Sequence, residues 1–405
     1  MISSHSTPLR IAAALGLITL LGPVSVDMYL PSIPIMAEDL GTQYATMQLT
    51  LTVFLLAMGA GQLVCGPVID SFGRRRPLLA AIVIFVITSL WAAGAQSVES
   101  LILARFIQGL AASLALVTAM SSVRDVAEGV AAAQLFVLLM TIQGLGPVLA
   151  PAAGGLIGEE FGWRAVFMTL AGLGAVVMMN SVVNFRETLP YEKRTPLNLT
   201  VVMRTYAEII SAPRFLLPGL SLAFVFFFLF AYIGGASYVY QVGYGLSARD
   251  FGLIFGVTGI AVLVGALGSA KLVTRFCIEM LALAGVLAML AGAVIGLVSV
   301  IAGIGLTGII VGMFLALVGL GIAEATLMSI ALATRSTALG ASAAILGAFP
   351  LMLGAAATPL AAIVAEIGAI HWLGFLTLAG LVAAALTIAS ARMVTRSGMQ
   401  INLQH

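Results

Sequence analysis

Two ionisable side chains, Asp27 and Arg105, lie inside long apolar stretches of this sequence. Asp27 falls within a run that begins near Ile11, and no basic residue is nearer to it in sequence than Arg10. Holding a charge in lipid or in an apolar cavity is costly, so such a carboxylate tends to bind a proton, to pair with a distant cation, or to alternate between the two. The pattern therefore indicates proton binding and release.

Arg105 is the candidate partner for Asp27. Each residue lies about 6 positions, roughly 9 Å at 1.5 Å per residue, from the same end of its predicted helix. Two interpretations of such a pair stay open. A permanent ion pair would only neutralise two buried charges, whereas a breakable pair would act as a proton switch. We favour the switch, because a permanent buried pair is costly and brings no gain.

The composition is that of an integral membrane protein. Hydrophobic residues make up 61% of the 405 positions, charged residues only 8%, and the mean hydropathy is +1.15. Soluble globular proteins do not have this composition. The net charge of +2 argues against a nucleic-acid partner. Cys65 and Cys277 lie in or near apolar segments, which predicts small core residues rather than a disulfide or a metal site.

Apolar runs of about 20 residues predict an all-α protein with twelve transmembrane helices, because a helix of that length crosses a bilayer. We place them near 10–33, 46–68, 77–96, 99–121, 130–157, 163–184, 215–240, 249–270, 279–299, 304–328, 336–365 and 372–392. All of the 18 Lys and Arg except Arg105, Arg164 and Arg249 fall on one side of this arrangement. The positive-inside rule then predicts that both termini are cytoplasmic.

One long hydrophilic stretch divides the predicted helices into six and six. It predicts an N-terminal six-helix bundle at 1–185, a cytoplasmic linker at 186–214 and a C-terminal six-helix bundle at 215–405. Equal halves suggest an internal repeat and pseudo-symmetric bundles. Gly144-Leu-Gly-Pro147 and Gly347-Ala-Phe-Pro350 support this repeat, since they lie 203 positions apart.

Four motifs carry a family resemblance. The first motif is Gly66-Pro-Val-Ile-Asp70-Ser-Phe-Gly73-Arg74-Arg75-Arg76. Its composition alone would make it a positive-inside anchor. Its spacing, however, resembles the loop between helices 2 and 3 of the major facilitator superfamily. Arg105-Phe-Ile-Gln108-Gly109 resembles the Arg-x-x-Gln-Gly motif of that superfamily. Gly144-Leu-Gly146-Pro147-Val-Leu-Ala-Pro151-Ala-Ala-Gly154-Gly155 resembles the motif of its drug/proton antiporters. Asp27-Met-Tyr-Leu-Pro31, with the seventh predicted span, resembles the bicyclomycin and chloramphenicol resistance (Bcr/CflA) branch.

The resemblance implies roles for several groups of residues. The loop residues would hold the cytoplasmic gate shut: Asp70, Gly73 and Arg74. Glycines and prolines of the fifth predicted span would form a tight, leak-resistant seam with a partner helix across the pseudo-symmetry axis, for which the eleventh predicted span is the candidate: Gly146, Pro147, Pro151, Gly154 and Gly155. Asp27 and Arg105 would couple transport to protons. Helices 1, 4, 7 and 10 line the cavity in the family, so the candidate substrate contacts are Tyr29, Gln108, Tyr232, Tyr238 and Gln241.

The resulting hypothesis is a proton-coupled efflux antiporter of amphipathic, phenicol-like or bicyclomycin-like drugs that works by alternating access, and hence a protein of multidrug efflux and antibiotic resistance. We expect a monomer in the lipid bilayer of the bacterial inner membrane, with a small-molecule substrate and protons as partners, no cofactor or metal, and no enzyme activity. Two alternatives stay open. One is a proton-coupled transporter of a metabolite such as a nucleoside or sugar, and the other is a non-transporting membrane sensor or scaffold.

Glu324, in the tenth predicted span, is a further ionisable residue. It is a candidate for a second protonation site. Two structural explanations compete with that role, since its side chain could reach water at the helix end or pair with Arg335.

Overall fold

The computed structural model describes residues 7–335 and 337–396, and the regular elements in these residues are helices. The main helices are α1 (Thr7–Asp27), α2 (Ile33–Asp39), α3 (Tyr44–Phe72), α4 (Arg75–Ala93), α5 (Val98–Val126), α6 (Gly129–Phe161), α7 (Trp163–Asn184), α8 (Leu199–Ile210), α9 (Pro213–Tyr238), α10 (Ala248–Leu272), α11 (Ile278–Ile301), α12 (Leu306–Ala333), α13 (Leu339–Ile367) and α14 (Ala369–Arg396). In this part of the chain, 12 helical segments are long and apolar enough to cross a membrane. The predicted all-α fold with twelve membrane spans is confirmed. The chain ends, whose cytoplasmic location was predicted, lie outside the described residues.

The first span is broken, which differs from the continuous helix predicted at 10–33. Helix α1 ends at Asp27, a short 3-10 turn covers Leu30–Ser32, and α2 begins at Ile33. Pro31 explains the break. Proline has no N–H to donate to the carbonyl group four residues earlier, and its ring clashes with that group. The carbonyl group four residues before Pro31 belongs to Asp27, so the candidate proton site lies at a helix end.

The described residues fall into two units. The first unit is drawn from Met1–Leu199 and Ala248–Gly252, and the second from Thr200–Ser247 and Leu253–His405. In the first unit, α1 packs on α5, α6 and α7, while α5 also packs on α3 and α4. In the second unit, α9 packs on α12, α13 and α14, and α11 packs on α12 and α14. The domain limits proposed from the sequence stay a prediction.

Small residues bring helices into close contact inside the first unit. A Cβ atom added to Gly109 of α5 would overlap the backbone oxygen of Phe54 in α3. At Gly61 of α3, an added Cβ would lie 2.7 Å from the Cβ of Ser113 in α5. Such approaches place α3 directly beside α5, the helix that carries Arg105.

Candidate functional site

Asp27 is the last residue of α1, and it is only 4% exposed. Among the residues that the structure describes, none donates a hydrogen bond to its carboxylate and none forms an ion pair with it. The carboxylate also stands at the C-terminal end of a helix, where the backbone carbonyl groups repel an anion. It can therefore exchange a proton or bind a cation without breaking an existing contact.

Arg105 lies in α5 and is completely buried. Its Nη1 donates a hydrogen bond to Oε1 of Gln108 at 2.6 Å, and its Nη2 donates to the backbone oxygen of Ser25 at 2.9 Å. Carbonyl groups in the last turn of a helix lack intrahelical donors, so Arg105 caps the turn that ends at Asp27. The pair between Asp27 and Arg105 that their equal depth permits is not formed in this structure. The guanidinium group contacts the backbone of the same turn instead.

Aromatic rings surround the charge of Arg105. The guanidinium carbon lies 4.5 Å from the ring centre of Tyr29 and 4.2 Å from that of Phe54. The face of an aromatic ring attracts a cation, and each such contact is worth up to about 2 kcal/mol where water is excluded. The hydroxyl of Tyr29 is 3.2 Å from Oγ1 of Thr50, which fixes the orientation of its ring. These contacts stabilise the charge of Arg105 without a carboxylate.

Gln108 belongs to the same hydrogen-bond network. Its Nε2 donates to Oγ of Ser89 at 2.7 Å while its Oε1 accepts from Arg105, and its side chain is fully buried. The hydroxyl of Tyr29 is likewise engaged, with Thr50. A substrate that bound Gln108 or Tyr29 would have to compete with these internal bonds. Their role in substrate binding stays a prediction.

The three candidate substrate contacts of the second unit lie on or just after α9. Tyr232 is 1% exposed, its hydroxyl is 3.2 Å from Oγ1 of Thr258, and its ring stacks on Phe255 with centroids 5.2 Å apart. Tyr238 and Gln241 are half-buried at the end of α9, where the helix widens into a π turn. Such turns are frequent at functional sites. The substrate roles of all three residues stay predictions.

The contact between Tyr29 and Thr50 recurs in the second unit as the contact between Tyr232 and Thr258. The oxygen–oxygen distance is 3.2 Å in both, and each threonine hydroxyl donates 2.8 Å to the carbonyl oxygen three residues before it. Tyr232 follows Tyr29 by 203 positions, the same offset as the two Gly-x-x-Pro segments. The recurrence supports an internal repeat.

Asp70 and Arg74, the residues predicted to form the gate, are joined by an ion pair at the turn between α3 and α4. Arg74 is 5% exposed, and its Nη1 lies 2.7 Å from Oδ1 of Asp70. Its Nε lies 2.9 Å from Oδ2 of Asp125 at the end of α5. Sequence reasoning missed Asp125. The signal in the sequence is an acidic residue directly after a basic one, Arg124, at the end of a predicted span.

Glu187 is a second residue of this cluster that the sequence did not reveal. Its carboxylate accepts hydrogen bonds from the backbone N–H groups of Arg74 at 2.8 Å and of Arg75 at 3.3 Å, so it caps the N-terminus of α4. Partial burial by itself disfavours the charged carboxylate. The backbone donors of Arg74, Leu189 and Arg75 outweigh that effect and hold the pKa of Glu187 below its usual value.

Gly73 lets the segment after α7 approach this turn. Its φ of +88° lies in a region that residues with a Cβ rarely adopt. A Cβ added there would lie 2.6 Å from Nη2 of Arg194 and 2.6 Å from Oε2 of Glu187. The backbone N–H of Thr195 donates to the backbone oxygen of Asp70 at 3.2 Å. The predicted gate turn is therefore bound to the first part of the linker.

The glycines of α6 contact α1. A Cβ added to Gly154 would overlap the backbone oxygen of Met28, and one added to Gly146 would lie 2.8 Å from Cβ of Pro23. A Cβ on Gly155 would lie 2.5 Å from the backbone oxygen of Ala248, which belongs to the same unit. Pro147 and Pro151 are interior residues of the same helix. These close contacts lie within the first unit and are made mainly with the broken first span, whereas the sequence had suggested the eleventh predicted span as the partner.

Comparison with known sequences places these features in a family. The family model described as Major Facilitator Superfamily matches residues 15–349. An uncharacterized MFS-type transporter of Bacillus subtilis, YdgK, is 38% identical over 260 residues, which are 64% of this chain and 65% of that protein. A bicyclomycin resistance protein homolog of Haemophilus influenzae is 31% identical over 263 residues, 64% of this chain and 66% of that protein. A chloramphenicol resistance protein of Pseudomonas aeruginosa is 39% identical over 158 residues, 39% of this chain and 38% of that protein.

These matches span less than two thirds of the length of each relative. Solved structures match over nearly the whole chain. A bacterial homolog of the human lysosomal transporter Spinster has a TM-score of 0.77 at 17% identity, covering 97% of this chain and 99% of that one. A D-xylose-proton symporter has a TM-score of 0.74 at 16% identity, covering 94% and 97%. At these identities the structural similarity concerns the fold alone.

Proposed function

The chain belongs to the Major Facilitator Superfamily, a family of membrane transporters rather than enzymes, and we propose that it is a proton-coupled efflux antiporter of amphipathic drugs that works by alternating access. Names of relatives, among them bicyclomycin and chloramphenicol resistance proteins, support the Bcr/CflA branch and this substrate class. We further propose a monomer in the bacterial inner membrane with both termini in the cytoplasm.

The placement of Asp27 is the single observation that carries the proposal. Its carboxylate is buried within a membrane span, at a helix end, and without a cation partner among the described residues. An ionised carboxylate in such a place is stabilised by binding a proton or a cationic or polar substrate. Proton and substrate then compete for Asp27, and that competition is the basis of antiport.

Arg105 has a positioning role in this scheme. Its hydrogen bond to the backbone of Ser25 and its contact with the ring of Tyr29 hold the end of α1 on both sides of Asp27. Because these contacts do not use the carboxylate, they can persist while Asp27 gains or loses a proton. Asp70, Gly73 and Arg74 would hold the gate turn closed through the ion pairs of Arg74.

The test is the substitution Asp27→Asn in proteoliposomes that contain the full-length protein. We expect the wild-type protein to release protons when chloramphenicol is added, and we expect the variant to lose this signal by at least about tenfold, because the amide cannot exchange a proton. Asp250→Asn, in the exposed first turn of α10, is the matched control and should behave as wild type. Drug-driven proton release that persists in Asp27→Asn would remove Asp27 from the mechanism.

The substitution Asp27→Asn can also be tested in cells. Expression of the wild-type protein in a pump-deficient bacterial host should protect against chloramphenicol, and a proton uncoupler should abolish that protection. Asp27→Asn should give no protection at an equal amount of protein in the membrane. Protection that survives the uncoupler would contradict proton coupling.

A further inference from the structure

Asp39, the last residue of α2, is bound to the start of α7. Its Oδ2 accepts a hydrogen bond from Nε1 of Trp163 at 2.9 Å and another from Nη1 of Arg164 at 2.7 Å. The guanidinium carbon of Arg164 lies 4.2 Å from the ring centre of Trp163, and its Nη2 donates to the backbone oxygen of Ala95 at 3.4 Å. Three segments of the first unit therefore meet here: α2, α7 and the loop between α4 and α5.

The short helix α2 depends on contacts of this kind for its position. It has only 7 residues, and a helix that short is not stable by itself in water. The backbone carbonyl groups at the end of a helix also repel a carboxylate, and the cation of Arg164 offsets that repulsion at Asp39. The pair of Asp39 and Arg164 thus fixes the far end of the segment that begins at the break after Asp27.

Two aromatic rings on one face of α7 lead from this pair into the core. Phe167 lies four positions after Trp163, and the two rings meet edge to face with centroids 6.1 Å apart. Phe167 in turn contacts Tyr29, in the break between α1 and α2, with centroids 5.7 Å apart. Trp163 is 4% exposed, and the other two rings are completely buried. Rings packed in this way cannot move independently, so a displacement of Trp163 reaches Tyr29.

The last ring of this series contacts the groups that flank Asp27. Tyr29 follows Asp27 by two positions, and the guanidinium carbon of Arg105 lies 4.5 Å from its ring centre. The same carbon lies 5.9 Å from the ring centre of Phe167. Arg105 also donates to the backbone oxygen of Ser25, two positions before Asp27. The side of α7 is therefore in contact with both groups that hold the end of α1.

We propose that Trp163 and Phe167 are positioning residues for proton exchange at Asp27. They hold the break between α1 and α2 in place from the side of α7, and the pair of Asp39 and Arg164 fixes them at the end of α2. This inference rests on the proposed function, since it assigns these residues a part in proton coupling. A misplacement of about 1 Å can slow a reaction about a hundredfold, so a loosened break slows the exchange.

Cysteine labelling measures whether the break opens. The reporter is Ser32→Cys in a full-length protein with Cys65 and Cys277 replaced by serine, because Ser32 is 1% exposed in the turn between α1 and α2. We expect N-ethylmaleimide to label this reporter at least about threefold faster after Asp39→Ala or Phe167→Leu, since each removes a contact that keeps the turn closed. Asp39→Glu, which keeps the charge, should retain most of the protection.

Glu38→Ala and Phe161→Leu are the matched controls. Glu38 precedes Asp39 in α2, is exposed, and forms no ion pair among the described residues, and Phe161 is 71% exposed. Both should leave the labelling rate within about twofold of the parent reporter. A second reporter, Ser181→Cys, lies fully buried in α7, eighteen positions after Trp163, and should stay protected in every variant. Loss of protection at both reporters would mean general loosening and would overturn the inference.

The same substitutions without reporters, in proteoliposomes, measure the functional part. Asp39→Ala and Phe167→Leu should slow chloramphenicol-driven proton release at least about threefold, whereas Glu38→Ala and Phe161→Leu should match wild type. Unchanged labelling of Ser32→Cys, or faster labelling with a wild-type rate of proton release, would overturn the inference. Absence of proton release by the wild-type protein would instead refute the antiporter proposal, while faster labelling would still establish that α7 holds the break.

Discussion

Asp27 and Arg105 differ in how the first unit accommodates their charges. Arg105 is buried with two strong hydrogen-bond acceptors and two aromatic faces. Asp27, two residues after Ser25 in the same helical turn, has no such partners among the described residues. In this structure protein groups therefore stabilise one charge, while the other has no protein partner among the described residues. This asymmetry suits a site in which only one group titrates.

Arg105→Lys tests whether geometry as well as charge is needed at this position. A lysine keeps the charge but loses the planar fork that bonds Gln108 and Ser25 at the same time. We expect drug-driven proton release in proteoliposomes to fall at least about tenfold, or ~1.4 kcal/mol, with normal amounts of protein in the membrane. Arg204→Lys is the control, since the side chain of Arg204 is 82% exposed. A wild-type rate in Arg105→Lys would show that the charge alone suffices.

Among the helices, the broken first span depends on α6. The backbone oxygen of Met28 lies where a side chain on Gly154 would have to go. Met28 follows Asp27 directly, so this contact helps to fix the helix end at which the carboxylate stands. The glycines of the motif thus position the candidate proton site as well as closing a seam between helices.

Gly154→Ala should lower the thermal unfolding midpoint of the detergent-purified protein by several degrees. The added methyl group overlaps backbone atoms, and overpacking of this kind costs about 1–3 kcal/mol. Gly172→Ala in α7 is the matched control, because no atom lies within 4 Å of the added Cβ. It should be neutral or slightly stabilising, as alanine favours a helix by about 1 kcal/mol over glycine. Equal midpoints for the two variants would contradict the close contact.

Because Glu187 caps α4, we expect the stability of the protein to depend on the protonation of this residue. Because folding lowers the pKa of Glu187, its contribution to stability is complete above the ordinary glutamate pKa of about 4.3. The contribution disappears as the pH falls through the lower pKa of the folded state. Glu187→Gln should therefore unfold at a lower temperature than wild type at pH 7, and the difference should shrink as the pH falls below about 4.

Glu192→Gln is the control for this measurement, since Glu192 is an exposed residue of the same linker. It should match wild type at every pH. A difference between Glu187→Gln and wild type that stays constant from pH 7 to the acid limit would show that the carboxylate charge is not the cause.

On the scale of the whole molecule, the two units share a repeated structural contact but differ in the ionisable residues inside their spans. The tyrosine–threonine contact occurs in both units with the same 3.2 Å distance. At the repeat offset of 203 positions, the counterpart of Asp27 is Phe230, which is buried and uncharged. The acid of the second unit, Glu324, stands on a different helix. We therefore propose that proton coupling belongs to the first unit.

The proposed orientation can be tested by labelling. In a variant with Cys65 and Cys277 replaced by serine, a cysteine at the exposed position Glu160 should react with a membrane-impermeant maleimide in intact cells. A cysteine at exposed Glu192 should react only after the membrane is permeabilised. The reverse pattern would place the linker, and with it the termini, outside the cytoplasm.

The sequence by itself determined the number of spans and, apart from the first span, their limits to within five residues, because a membrane demands about 20 apolar residues for each helix. It also singled out Asp27, Arg105 and the turn at Asp70–Arg74 as candidates, since charges inside apolar runs and glycine–arginine motifs are visible one position at a time. It missed the break after Asp27, although Pro31 signals it, because prolines are often tolerated inside membrane helices.

Only the tertiary structure decided which groups meet. Asp125 and Glu187 reach Arg74 from distant segments, and Arg105 binds the backbone near Asp27 rather than its carboxylate. Backbone carbonyl and N–H groups are present at every residue, so no sequence pattern shows which of them a buried side chain will use. Helix packing determines which backbone groups are used, because it sets which helix ends and side chains come within hydrogen-bonding distance.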